Sequence, residues 1–197
     1  MSSKAKLAYL LSLILLFGAG IWASSQGFWQ TKGATAYANL GGEFTLNSNT
    51  GEVSLSDYKG KLVAIYFGFM SCPDVCPTAL SSLSAAMRSL DDTQQQQIQP
   101  LFISVDPDRD SLENMAAFTA YFYPSMKGLS GDLPYLEKLT RQYGAYFRHI
   151  PLEDSALGYT VDHTSRIYLI DRQGKLVTTI PHATSVAEIS ELLVQNL

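Results

Sequence analysis

Cysteine is scarce in this chain: 197 residues carry two, Cys72 and Cys76, four positions apart. With no others, a scaffold stapled by several disulfides is excluded, and chemistry at sulfur is the simpler account of so close a pair. Two thiolates are also too few for a closed zinc site, which takes four ligands. Histidine is nearly as rare, at three. Charged residues make up only 16%, the formal net charge is −4, and the lysines and arginines are scattered, so no basic stripe argues for nucleic acid. No internal repeat is present, which excludes a solenoid or propeller. A chain of this length defaults to one domain, with room for a tail or anchor, and buries a substantial core unaided.

What is present begins with residues 7–23, an uncharged 17-residue run at the short end for spanning a bilayer as a helix. Lys4 and Lys6 precede it, which leaves residues 1–6 cytoplasmic and the remainder across the membrane, and Trp22 and Trp29 suit the far interface. A cleaved signal is the rival reading, but Ile21-Trp22-Ala23 is a poor cleavage site. The run lacks the repeated arginines of a mitochondrial transit peptide, so a bacterial inner membrane is the simplest home, with the folded domain outside the cytoplasm. That compartment permits disulfides. Residues 24–39, small and polar, read as a tether, and a folded domain is expected over 40–197.

Within that domain Phe44–Leu46 and Val53–Leu55 flank a turn and predict a β-hairpin. Leu62–Phe67 is apolar on both faces, as in a buried central strand. Pro77 suits the first turn of a helix, along which Leu80, Leu83, Met87 and Leu90 recur at three and four. Gln94–Gln97 reads as a surface loop and Leu101–Val105 as a second buried strand. It stops at Asp106-Pro107-Asp108-Arg109-Asp110-Ser111, where Asp110 or Ser111 is the expected N-cap. Leu112–Tyr123 and Leu133–Tyr143 read as helices, Phe147–Ile150 as a short extended piece, Ser165–Ile170 and Lys175–Ile180 as a strand pair, and Val186–Val194 as a closing helix. The order predicts an α/β domain of thioredoxin-like layout: a mixed central sheet, parallel in its first half and antiparallel in its second, with helices on both faces and an N-terminal β-hairpin.

At the start of a helix, amide N–H groups and the dipole favour a thiolate at Cys72 or Cys76. A thiolate is both the nucleophile of disulfide exchange and a soft metal ligand, so the pair is redox-active in one reading and ligating in the other. On a helical turn the two would be separated by about 6 Å of rise, near the outer edge of what a disulfide tolerates. Two thiolates and one imidazole suffice for Cu(I). His149 reads as an exposed surface histidine and His182 as a turn residue that could cap the last helix. His163, just before the Ser165 strand, sits in a loop that would pack against the cysteine loop; a metal ligand and a backbone-bonded loop histidine are both open there. Asp162 is either its orienting partner or a solvated carboxylate.

These residues resemble the Sco/SenC family of membrane-anchored copper proteins involved in assembling cytochrome c oxidase. The resemblance runs through Gly60-Lys61, Tyr66-Phe67-Gly68-Phe69, Cys72-Pro73-Asp74-Val75-Cys76-Pro77, Phe102–Asp110, Val161-Asp162-His163 and Tyr168–Asp171, with Gly42–Leu46 as the opening hairpin. It implies a thioredoxin-like fold in which Cys72, Cys76 and His163 bind copper, as Cu(I) or Cu(II), with His163 near where thioredoxins place a cis-proline. Met70 departs from the small polar residue common there and reads as packing. Asp106, Asp108, Arg109 and Asp110 read as a capped turn with local salt links, or as residues that orient a neighbouring loop or a partner.

The function this implies is a metallochaperone that takes copper from a donor protein and passes it to the dinuclear copper site of an oxidase subunit. The alternative is a thiol–disulfide oxidoreductase that reduces the target's cysteines, in which His163 is dispensable. A thiol peroxidase is disfavoured, because Phe69 stands three before Cys72 where that pocket carries threonine.

Overall fold

A computed structural model describes residues 37–153 and 155–197. The expected anchor at 7–23 lies outside the described residues, as do the N-terminus and most of the tether. Among the described residues no helix is long and apolar enough to cross a membrane.

The chain enters through a hairpin of β1 (Thr45–Ser48) and β2 (Gly51–Ser54), paired antiparallel as the turn residues predict. A 3-10 turn (Leu55–Tyr58) leads into β3 (Leu62–Gly68), every residue of which is buried. Helix α1 (Val75–Arg88) follows and lays down Leu80, Leu83 and Met87, each no more than 1% exposed. Burying a side chain of that size contributes about 1.5–3 kcal/mol, which is why the three- and four-residue spacing settles as a helix against the sheet.

Gln94–Gln97 is not a loop as expected. A short helix α2 (Asp92–Gln96) occupies most of it, started by a capping box in which Asp91 accepts from the Gln94 N–H at 2.8 Å and the Gln94 side chain accepts from the Asp91 N–H at 3.2 Å. Strand β4 (Ile98–Ser104) begins three residues before the apolar run at Leu101. Gln99 tolerates burial there because its amide nitrogen donates to the carbonyls of Pro100 and Ser125, at 3.0 and 2.7 Å.

Beyond β4 come α3 (Leu112–Phe122), β5 (Lys127–Leu129), α4 (Leu133–Gln142), β6 (Phe147–Pro151), β7 (Tyr159–His163), β8 (Arg166–Ile170), β9 (Leu176–Pro181) and α5 (Val186–Gln195). The central sheet runs β5-β4-β3-β8-β9. Strands β3, β4 and β5 are parallel neighbours, while β8 pairs antiparallel with both β3 and β9. The mixed sheet expected from the element order is therefore present. The three-residue edge strand β5 is additional, too short to register as a pattern. Strands β6 and β7 form a separate two-stranded sheet. Helix α5 packs on α1, with the Ser89 and Ser190 hydroxyls 2.6 Å apart.

Candidate metal centre

Strand β3 ends at Gly68, and the chain crosses to α1 through residues 69–74. Ordinary side chains would not fit at Gly68: a Cβ there would lie 2.9 Å from the Cys76 sulfur and 2.9 and 3.0 Å from the rings of Phe102 and Tyr66. The crossing is pinned from β4. Met70 N–H donates to Oδ2 of Asp110 at 2.9 Å, and the same oxygen accepts from the Ser104 hydroxyl at 2.6 Å. Met70 is thus held by its backbone.

Cys76 lies inside the first turn of α1, while Cys72 lies in the loop before it, so the pair does not share a helical turn as the spacing suggested. The loop folds back, its Cys72 N–H donating to the Phe69 carbonyl at 3.3 Å. That brings the Cys72 sulfur over the helix start, where it accepts from the Cys76 N–H at 3.4 Å. Both cysteines are free and buried.

The two sulfurs are electrostatically unequal. A hydrogen bond from the Cys76 thiol, assisted by His163 and by backbone N–H groups at the helix start, lowers the Cys72 pKa to about 3 against the opposing effect of burial. The same hydrogen bond and burial push the Cys76 thiol up. The shared hydrogen bond thus favours the thiolate on Cys72 and the proton on Cys76, and the two titrate as a pair.

His163 is the last residue of β7, not a loop residue, and pairs with Phe147 of β6. Its Nε2 is 3.4 Å from the Cys76 sulfur, and its Nδ1 is 3.4 Å from the Thr164 carbonyl oxygen. In the metal-free site an Nε2–H toward the sulfurs supports the Cys72 thiolate; as a metal ligand Nε2 would offer its lone pair instead, with the proton on Nδ1 beside the Thr164 carbonyl. The rings of Tyr66 and Phe69 meet the imidazole edge-on, with centroids 6.0 and 5.7 Å away. The Cys72 and Cys76 sulfurs and a His163 ring nitrogen all lie within 4.8 Å of one another. Two sulfurs and one imidazole, with no carboxylate in the group, form a soft donor set.

The other candidates fall elsewhere. Asp162 faces away from its neighbour, as alternation along a strand requires, and its Oδ2 takes the Tyr146 hydroxyl at 3.2 Å and Arg148 at 3.4 Å. His149 is half-buried rather than exposed, its ring tilted 44° to that of Tyr159 with centroids 4.6 Å apart. His182 is exposed and caps nothing; Ser185 is the N-cap of α5, accepting from Glu188 N–H at 3.3 Å. Ser111 likewise caps α3, which frees Asp110 to turn inward. The capped turn with a local salt link is present, in the Ser111 cap and the Arg109–Asp106 ion pair, but Asp106 and Asp110 are both buried and only Asp108 of the three acids is exposed. Ser104, Tyr159 and Thr164 drew no attention in the sequence, although Tyr159 stands four residues before His163 on the same face of β7.

The SCO1/SenC family model matches residues 32–197. The SCO2-like protein of Rickettsia felis is 35% identical over 158 residues, 80% of this chain and 77% of that one. Among solved structures, copper-bound ScoI of Bradyrhizobium japonicum superposes with a TM-score of 0.71 at 36% identity, over 80% of this chain and 99% of that one. Copper-bound yeast Sco1 gives 0.72 at 33% identity, over 80% and 87%. With its thioredoxin-like sheet and the cysteine pair at its centre, the chain belongs to the SCO1/SenC family.

Proposed function

We propose that this protein is a copper-binding assembly factor that carries copper to the dinuclear copper site of cytochrome c oxidase, with Cys72, Cys76 and His163 as the ligands. The observation that carries the reading is the convergence of two sulfurs and an imidazole within 4.8 Å. Such a donor set suits Cu(I) with three ligands and leaves zinc one short. Copper is cargo in this reading, and transfer proceeds by exchange of ligands with the target across a transient interface. The uncharged run at 7–23 would tether the domain beside a membrane-bound target, on the outer side of a bacterial inner membrane.

Titration of the full chain with Cu(I) and Cu(II), before and after His163→Ala, tests it. One copper per chain and at least a tenfold loss of affinity on removing the imidazole are expected. Unchanged stoichiometry and affinity would remove His163 from the ligand set.

One observation favours a second role. A thiolate at Cys72 beside a protonated Cys76 is the arrangement a dithiol uses to attack a disulfide. In that reading the reduced pair reduces the target's cysteines, becoming a Cys72–Cys76 disulfide, and His163→Ala spares the rate. Copper-free turnover of a target disulfide that survives His163→Ala supports it; no turnover removes it.

A further inference from the structure

The hairpin of β6 and β7 forms a sheet separate from the central one whose strand β3 leads into the cysteine loop, yet it places His163 beside both sulfurs. Three hydrogen bonds tie it to a single place, the turn after β4. Arg109 Nη1 donates to the Tyr159 carbonyl at 2.9 Å and, at a longer 3.5 Å, to that of Leu157. The Tyr159 hydroxyl donates to Asp106 Oδ1 at 2.6 Å. Arg109 closes the triangle, placing Nε and Nη2 on Asp106 Oδ2 at 2.6 and 2.5 Å. Its guanidinium also lies over the Tyr159 ring at 3.8 Å and over the Phe69 ring at 6.0 Å. Phe69 in turn meets the His163 ring edge-on.

This cluster has the properties of a built positioning element. The Asp106 side chain is fully buried, and that of Arg109 is 20% exposed. A buried carboxylate has to be fully hydrogen-bonded to stay charged, and Asp106 gets its donors from both sides of the gap. Tyr159 and His163 lie on the same face of one strand, two pleats apart, so fixing the first sets the reach of the second. The planar fork of arginine makes two of these contacts at once, which lysine cannot reproduce.

We propose that Asp106, Arg109 and Tyr159 are positioning residues for the metal centre, a clamp that sets how closely His163 approaches the cysteine pair. This rests on the reading of Cys72, Cys76 and His163 as the copper ligands. None of the three clamp residues belongs to the donor set; they act by placing His163.

A double-mutant cycle on the full chain tests it, with Cu(I) affinity read by competition against a chromophoric Cu(I) chelator under reducing conditions. Tyr159→Phe and Arg109→Lys, both mild enough to keep the fold as checked by melting, are each expected to weaken Cu(I) by about tenfold. In a His163→Ala background the same two substitutions are expected to change affinity no further. The Cu(II) complex of each single variant should show a weakened nitrogen hyperfine pattern in its electron paramagnetic resonance spectrum, which a loss of general stability would not produce. The clamp is overturned if affinity and spectrum are unmoved, or if the variants weaken binding by the same factor with and without His163. A different result marks failure of the underlying reading: His163→Ala alone leaves affinity unchanged while Cys72→Ser abolishes it, and the clamp then falls with it.

Discussion

Gly68→Ala separates packing from chain entropy by the sign of a melting shift. Replacing a strand glycine by alanine ordinarily stabilises by about 0.5–1 kcal/mol, because the unfolded chain loses freedom. At Gly68 the added carbon would stand 2.9 Å from the Cys76 sulfur, 2.9 Å from Phe102 and 3.0 Å from Tyr66, where ordinary contact begins at 3.4 Å. All three neighbours are buried to 0% exposure, so none can swing into solvent. Overpacking of this kind costs about 1–3 kcal/mol. Setting about 2 against a gain of about 0.7 leaves a net loss of about 1.3 kcal/mol, or about 3–5 °C in melting temperature for a domain of this size. One of the two nearest neighbours is the Cys76 sulfur, a proposed ligand, so the copper affinity is expected to fall in the same variant. Thermal melts of the metal-free full chain and Cu(I) competition on the same sample read both effects. A melting temperature that rises, together with an unmoved copper affinity, would refute the packing argument and leave only the entropic gain.

Two further predictions concern the cysteine loop. Asp110→Ala removes the acceptor of Met70 N–H and of the Ser104 hydroxyl, leaving a part-buried and a buried donor without it; urea denaturation should register a loss of about 2–3 kcal/mol, whereas an exposed capping aspartate would register half that or less. The inequality of the two sulfurs is checked by alkylation of the reduced, metal-free chain at mildly acidic pH. Cys72, with its pKa at about 3, should be the residue modified first, peptide by peptide in a mass spectrum, and Cys76→Ala should slow it by removing the hydrogen bond that stabilises its thiolate.

The parts of this fold that follow periodic burial were legible without coordinates. Leu62–Phe67 has no polar face to give to solvent and can only be a central strand, and Leu80, Leu83 and Met87 mark one buried stripe. Cys72, Cys76 and His163 were legible as a set through their chemical softness and through the family resemblance. What could not be read was polar burial, because a sequence does not say which partner a carboxylate finds. The capped turn with its salt link was legible, but the burial of Asp106 and Asp110 was not, since it depends on Ser104 of β4, Met70 of the cysteine loop and Tyr159 of β7 joining Arg109 around them. Asp162 failed as a partner of His163 for a geometric reason: once residues 159–163 are a strand, neighbours point to opposite faces. The polar helix α2 was hidden because it has no apolar stripe, although Asp91 with Gln94 three residues on was a legible capping pair.

The unequal thiols also bear on how copper would enter a site this dry. Metal binding by thiolates releases whatever protons they still carry. Two ordinary thiols would release two near neutrality, and the affinity would rise about a hundredfold per pH unit. Here the shared hydrogen bond lowers the pKa of Cys72 and raises that of Cys76, which favours a single proton on the pair near neutrality. Loading Cu(I) onto both sulfurs therefore releases one proton, and the sign is fixed: affinity rises with pH, by about tenfold per unit, between the low pKa of one thiol and the raised pKa of the other. Measured over about pH 7.5–8, the logarithm of the Cu(I) affinity against pH should have a slope of one. Proton release into a weakly buffered indicator solution should give one equivalent per copper. A slope of two would mean both thiols are protonated in the metal-free protein and the hydrogen bond between them does not hold a charge. A slope of one means that a monovalent cation enters as a proton leaves, so the buried site keeps the same net charge loaded and empty. The desolvation cost of an ion in apolar surroundings is set by its net charge, so that exchange lets the metal come and go without burying or exposing an additional charge.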